Sequence, residues 1–174
     1  MRHFKQFMLL VMVGALLTLT SCSNNDDGDD SQTNNSGGDE FLTAKIDGAD
    51  FEASTDPASL IGAVLSNGVL AVQGSTNNGD YLRFNIVNYN GTGTYQTGDA
   101  LTNPNLIQYG KINPVVAWLS NGIAVAGNSS ATGTITITAE DGSVVEGTFS
   151  FTGLNASDSS TKTISEGKFK ASID

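Results

Sequence analysis

The chain has 174 residues, with eighteen acidic against eight basic side chains, a net charge of −10 at neutral pH, one cysteine and one histidine. A lone cysteine allows no internal disulfide, and so acidic a polypeptide is repelled by nucleic acid and by anionic membrane surfaces. A length of this order suits one domain with its own core, burying roughly 65–70% of the surface its unfolded chain exposes.

Met1 to Gln6 is basic, with Arg2 and Lys5, and an apolar run follows from Phe7 through Leu19, broken only by Gly14 and Thr18. About a dozen apolar residues is the length of a signal h-region, short of the roughly 20 that a membrane-crossing helix needs. The run closes on Leu19-Thr20-Ser21-Cys22, which resembles the lipobox of bacterial lipoproteins. That resemblance implies cleavage before Cys22, a diacylglycerol on its thiol and acylation of the new amine. The alternative is a plain secretory signal with a chance cysteine, or an uncleaved signal anchor. Two or three acyl chains make a stable membrane anchor, where one holds only marginally at about 0.8 kcal/mol per buried methylene.

Without residues 1–21 the chain has no histidine, its one cysteine is Cys22, and six basic residues face eighteen acidic ones, a net charge of −12. Ser-His-Asp and Cys-His catalysis, zinc sites and haem ligation are then excluded on residue type, and no cofactor is expected.

Residues 22–40 are the lipidated cysteine and a tether. Ser23 to Glu40 has no apolar residue, so nothing offsets the entropy of ordering it, and a flexible coil of this length spans about 25 Å. Its cluster Asp26, Asp27, Asp29 and Asp30 resembles the export signal of Bacteroidetes lipoproteins shown on the outer face of the outer membrane. The bland reading of the same cluster is a solvated charge run on a periplasm-facing protein.

Residues 41–174 read as one β domain. Leu42, Ala44 and Ile46 alternate with polar residues up to Asp47-Gly48, and Ala49, Phe51 and Ala53 follow. A two-residue turn there pairs Ile46 with Ala49 and Ala44 with Phe51, which puts both apolar sets on one face. Leu60 to Leu65 and Val69 to Val72 flank Asn67-Gly68 as a second hairpin, apolar nearly throughout and so expected at the centre of the sheet, covered on both sides. Tyr81 to Val87 predicts a strand with Leu82, Phe84 and Ile86 inward. Gly91 to Tyr95 reads as the start of a long loop, Leu106 to Tyr109 and Val115 to Leu119 as short strands, and Asn121-Gly122 as the turn of a hairpin returning through Ile123 to Ala126.

Thr134 to Ala139 and Val144 to Phe151 bracket Glu140-Asp141-Gly142. A three-residue loop with a bulge at Gly142 pairs Ile137 with Val145. The final strand, Lys168 to Ile173, points Phe169, Ala171 and Ile173 inward, and its outward lysines suit an edge. No stretch after the leader has a useful helical period. The fold class is all-β, an antiparallel β-sandwich built from consecutive hairpins, with two sheets packed face to face.

The opening Phe41-Leu42-Thr43-Ala44-Lys45-Ile46-Asp47-Gly48-Ala49-Asp50-Phe51, the middle Gly91-Thr92-Gly93-Thr94-Tyr95 and the later Gly133 to Thr138, Gly147 to Phe151 and Ser165 to Phe169 resemble one family. It comprises short Bacteroidetes lipoproteins carrying a single β domain of unknown function. The resemblance covers most of 41–174 and implies compartment and fold. It carries over no site residues.

The chemistry left open is binding. Trp118, Tyr81, Tyr89, Tyr95 and Tyr109 supply rings for stacking on sugars, and Tyr89, Tyr95 and Trp118 are the candidate ligand-binding residues; the alternative is that they fill the core. A glycosidase needs only two carboxylates, for which Asp50, Glu52, Asp80, Asp99, Glu146 and Glu166 are candidates, and nothing in the sequence pairs any two of them. The reading is a non-catalytic, lipid-anchored envelope protein with a binding or adhesion module for a glycan or an envelope-protein partner. The alternative is an accessory subunit of an envelope complex.

Overall fold

The computed structural model describes residues 40–56, 61–98, 102–122 and 133–174. The leader, Cys22, the tether up to Asp39, Leu60, Asp99 and the arm Ile123 to Ala126 lie outside the described residues. Eleven strands make up the domain: β1 Phe41–Ile46, β2 Ala49–Glu52, β3 Gly62–Ser66, β4 Val69–Ser75, β5 Asp80–Val87, β6 Gly93–Thr97, β7 Leu106–Ile112, β8 Val115–Leu119, β9 Gly133–Glu140, β10 Val144–Leu154 and β11 Thr161–Ser172.

All eleven belong to one antiparallel sheet in the order β2-β1-β11-β10-β8-β7-β5-β4-β3, with β9 also on β10 and β6 on β9. The two expected layers are therefore halves of one sheet folded over on itself and not closed into a barrel. The fold-over runs along β10, whose Val145 to Phe151 stretch pairs with β9 while Leu154 alone pairs with Leu119 of β8. Phe84 of β5 meets Phe149 of β10 and Phe169 of β11 at 5.9 and 4.9 Å between ring centroids, so the halves face each other across one aromatic-centred core.

Both expected two-residue turns form. Asp47 and Gly48 sit at φ of +50° and +87°, Asn67 and Gly68 at +50° and +74°, as a type I′ turn requires. Ile46 pairs with Ala49 and Ala44 with Phe51.

Four expectations are corrected. The β3–β4 hairpin is not central: β3 ends the strand order and exposes Val64 and Leu65. The last strand is not an edge: β11 lies between β1 and β10, and Lys170 is paired with Glu146 of β10 at 3.0 Å. Gly93–Thr97 is strand β6 rather than loop, held on β9 by five register pairs from Gly93↔Ile137 to Thr97↔Gly133. Strands β7 and β8 form as expected and also close a hairpin through Asn113-Pro114. Finally, Ile137 faces Gly147 and not Val145, because the β9–β10 bulge sits inside β9. Gly142 is left-handed as expected, at φ +87°, but Thr138 is the extra residue, with its hydroxyl donating to the Glu146 carbonyl.

Glycines mark where neighbouring strands crowd one another. A Cβ at Gly147 would lie 2.2 Å from the Thr136 carbonyl oxygen and 2.8 Å from the Phe169 ring, and backbone cannot yield as a flexible side-chain tip can. Gly147→Ala is expected to destabilise the domain by about 1–3 kcal/mol, as overpacking does, seen as a lower denaturation midpoint at unchanged m-value.

Asp47 also ties the first turn to β11. Its carboxylate accepts the Thr163 amide at 2.8 Å and pairs with Lys162 at 2.6 Å. The Lys162 hydrogen bond, then the Thr163 amide, hold this carboxyl below the usual carboxylate range. A depressed native pKa gives stability that is full above the unfolded value of about 3.9 and fades as pH falls through the native one. The stability difference between wild type and Asp47→Asn should be present at pH 6 and shrink as pH falls below about 3.9 through the lower native value. Denaturant titrations at a series of pH values test this.

Candidate functional site

The aromatic residues singled out in the sequence do not converge. Trp118 is only 7% exposed: its ring stacks on Tyr109 at 5.5 Å, and its indole N–H donates to the Ser160 hydroxyl at 2.9 Å. Tyr109 is buried too, and its hydroxyl donates to Asp80. Tyr81 lies over Gly110, its cross-strand partner, and its hydroxyl accepts from Gln108, so it shields a strand that has no side chain there.

Tyr89 and Tyr95 do come together, half-buried and stacked at 5.8 Å. Their polar tips are used internally. Tyr89 donates to Glu140 at 3.0 Å, and burial followed by that carboxylate pushes its phenol well above the ordinary value. Tyr95 donates to the Gly91 carbonyl at 2.7 Å and accepts from the Asn90 amide, pinning the turn into β6.

Half of the candidate carboxylates have lysine partners. Asp50 pairs with Lys45 at 2.8 Å, Asp80 with Lys111 at 3.1 Å and Glu146 with Lys170. The Lys45 hydrogen bond and charge hold the Asp50 carboxyl below its ordinary range, opposite to what a general acid needs. Glu52 and Glu166 are exposed, and Asp99 lies outside the described residues. Among the described residues no cluster of three or more His, Cys, Asp or Glu side chains is arranged to hold a metal.

What the fold does assemble is a polar row on the outer face. The registers of five strand pairs align Thr94, Thr136, Thr148, Lys168, Thr43 and Glu52 across β6, β9, β10, β11, β1 and β2. Five strand spacings make this track about 24 Å long. Two shallow troughs flank it and meet at Glu166 and Lys168. One, of about 520 Å³, is lined by Thr134, Thr136, Thr148 and Ser150 over a floor of Phe149 and Gly167. The other, of about 330 Å³, is lined by Thr43, Lys45, Asp50 and Glu52.

The step between the troughs is a bulge in β11. β1 pairs Thr43 with Lys168 but Lys45 with Ser165, and β10 pairs Phe149 with Gly167 but Phe151 with Ile164, so β11 carries one extra residue against both neighbours. Glu166 takes the left-handed conformation there, at φ +53°. Among the described residues Lys45, Lys111, Lys162 and Lys170 are in ion pairs and Lys168, in the middle of the row, is in none. The alternating Thr134-Ile135-Thr136 and Thr148-Phe149-Ser150 carried this signal in the sequence, but only the register shows that their hydroxyls line up.

Fold and surface together define a small antiparallel β domain with a hydroxyl-rich outer face and no assembled catalytic group among the described residues. The profile of a family described as a domain of unknown function (DUF6252) matches residues 39–171, and the chain belongs to that family. No curated protein and no solved structure shows significant similarity to it.

A left-handed non-glycine residue costs about 1–2 kcal/mol, and glycine there recovers it less roughly 0.5–1 kcal/mol of added unfolded-state entropy. Glu166→Gly should therefore stabilise the domain by about 0.5–1 kcal/mol, read as a higher denaturation midpoint. Unchanged or lower stability would mean the Glu166 side chain is held by contacts that offset its backbone strain.

Proposed function

We propose that this protein is a lipid-anchored, non-catalytic Bacteroidetes envelope protein, held at the outer membrane through Cys22, that presents its β domain as a glycan-binding module. The lipobox-like Leu19-Thr20-Ser21-Cys22 and the acidic tether support the placement. One observation carries the binding reading: the row from Thr94 to Glu52, with hydroxyls on four strands and the unpaired ammonium of Lys168 at its centre. Glycans offer donors and acceptors on every ring, and a straight track of hydroxyl, ammonium and carboxylate groups answers them along an extended chain.

Lys168 replaces Trp118 as the central binding residue in this reading, since Trp118 is taken up by Tyr109 and Ser160. Tyr89 and Tyr95 serve to hold the turn into β6, which brings Thr94 into the row.

A glycan array probed with the purified protein tests the proposal. A hydrogen bond to a charged group is worth about 1.5–3 kcal/mol, so Lys168→Ala should weaken binding roughly ten-fold or more, and Thr148→Val by a few-fold, at unchanged thermal stability. An array with no glycan retained, or variants that bind like wild type, would overturn the proposal.

A further inference from the structure

We infer that the hairpin tip Ile112-Asn113-Pro114-Val115 is a membrane-contacting element that dips into the lipid interface when the protein is anchored; this rests on the lipid anchor of the proposed function. Val115 is 89% exposed and Ile112 64%, the two most exposed large apolar side chains among the described residues. The tip shares a rim with the point where the chain comes in from its tether. Backbone hydrogen bonds trace that rim without a break: Ala53 to Leu42, Ser54 to Ser75, Thr76 to Asp80, and Ile112 to Gly79. Phe41, the first strand residue and 38% exposed, stands at its other end, about four strand spacings or roughly 19 Å away. Among the described residues, three of the five exposed large apolar side chains thus lie at the end of the domain where the tether joins.

The occupant is the bilayer rather than a second copy because of the stretch between Cys22 and Phe41. It is acidic and has no apolar residue, so it offers nothing to cover the tip, yet its eighteen residues tie this rim covalently to the anchored Cys22. Two aliphatic side chains are too little to bring a free protein with this net negative charge to a membrane. Tethering makes their insertion intramolecular, at millimolar effective concentration, where a weak apolar contact suffices. The nearest cation, Lys111, is already paired with Asp80, so the tip enters a zwitterionic interface without carrying an unpaired charge on that strand.

The test uses the natively lipidated protein reconstituted in phosphatidylcholine vesicles. With Cys22 carrying lipid, Val115→Cys supplies the one free thiol, which takes an environment-sensitive dye. Exposed Ser66→Cys serves as the control, because Ser66 pairs with Val69 at the end of β4 remote from Ser75. The dye at 115 should be blue-shifted and quenched by brominated lipid at least three-fold more than the dye at 66. Equal, water-like emission at both sites would overturn the inference. A blue shift without lipid quenching that grows with protein concentration would also overturn it, in favour of a second copy. Two dyes per chain would overturn the anchor itself, a failure distinct from an unquenched probe at 115.

Discussion

One extra residue in β11 fixes the geometry of the surrounding sheet. Ile164 and Phe169 are both buried, yet they are five positions apart, and an uninterrupted strand with period two would send them to opposite faces. The bulge at Glu166 absorbs the phase error, and it does so against both neighbours at once, since β1 and β10 each shift register at the same place. Above the bulge Gly167, Phe169 and Ala171 face the core; below it Ile164 does. The outer face inherits the complement: Lys168 falls in line with Thr148 and Thr43, and Glu166 is left standing between the troughs. Candidate site and core phase are consequences of the same backbone event.

The sheet depends on close approach between neighbouring strands. At Gly147 and Gly167 a side chain would run into the rings of their cross-strand partners Phe169 and Phe149, so the aromatic rings of one strand fill space that glycine leaves on the next. Bare backbone beneath an aromatic ring lets bulky phenylalanines pack closely between neighbouring strands. Tyr81 over Gly110 repeats the device on the outer face of β5 and β7. That is why most of the aromatic residues are structural here: Trp118, Tyr81 and Tyr109 each have a partner that needs covering or a stack to complete.

Local chemistry was legible in the sequence wherever the turn itself demanded a special residue. Asp47-Gly48 and Asn67-Gly68 need positive φ at both central positions, and few other dipeptides supply it, so pairing and register followed at once. Strand order was not legible. An apolar β3–β4 hairpin reads as central and a lysine-bearing β11 as an edge, but position in a sheet is decided by long-range partners, and these two came out exchanged. β6 was missed because Gly93 and Thr94 have turn-like composition, while its strand state comes from β9 beside it. The polar row failed to stand out for the same reason: each of its residues is an unremarked outward position on its own strand, and only five registers taken together make a track.

The free edges bear on which mode of recognition this domain can use. A sheet that binds by strand addition needs a long open edge with unpaired amides and carbonyls. Here β2 has four residues and β6 five, too short to template much pairing. β3 is also short, and it is partly closed at Ala63, whose carbonyl accepts the Asp174 amide and which bridges to Ile173. The C-terminal end of the chain thus sits across the edge that would otherwise invite another strand. With its edges short or occupied, the ligand recognition proposed above falls to side chains on a face, and the face whose groups are in register is the one that runs from Thr94 to Glu52.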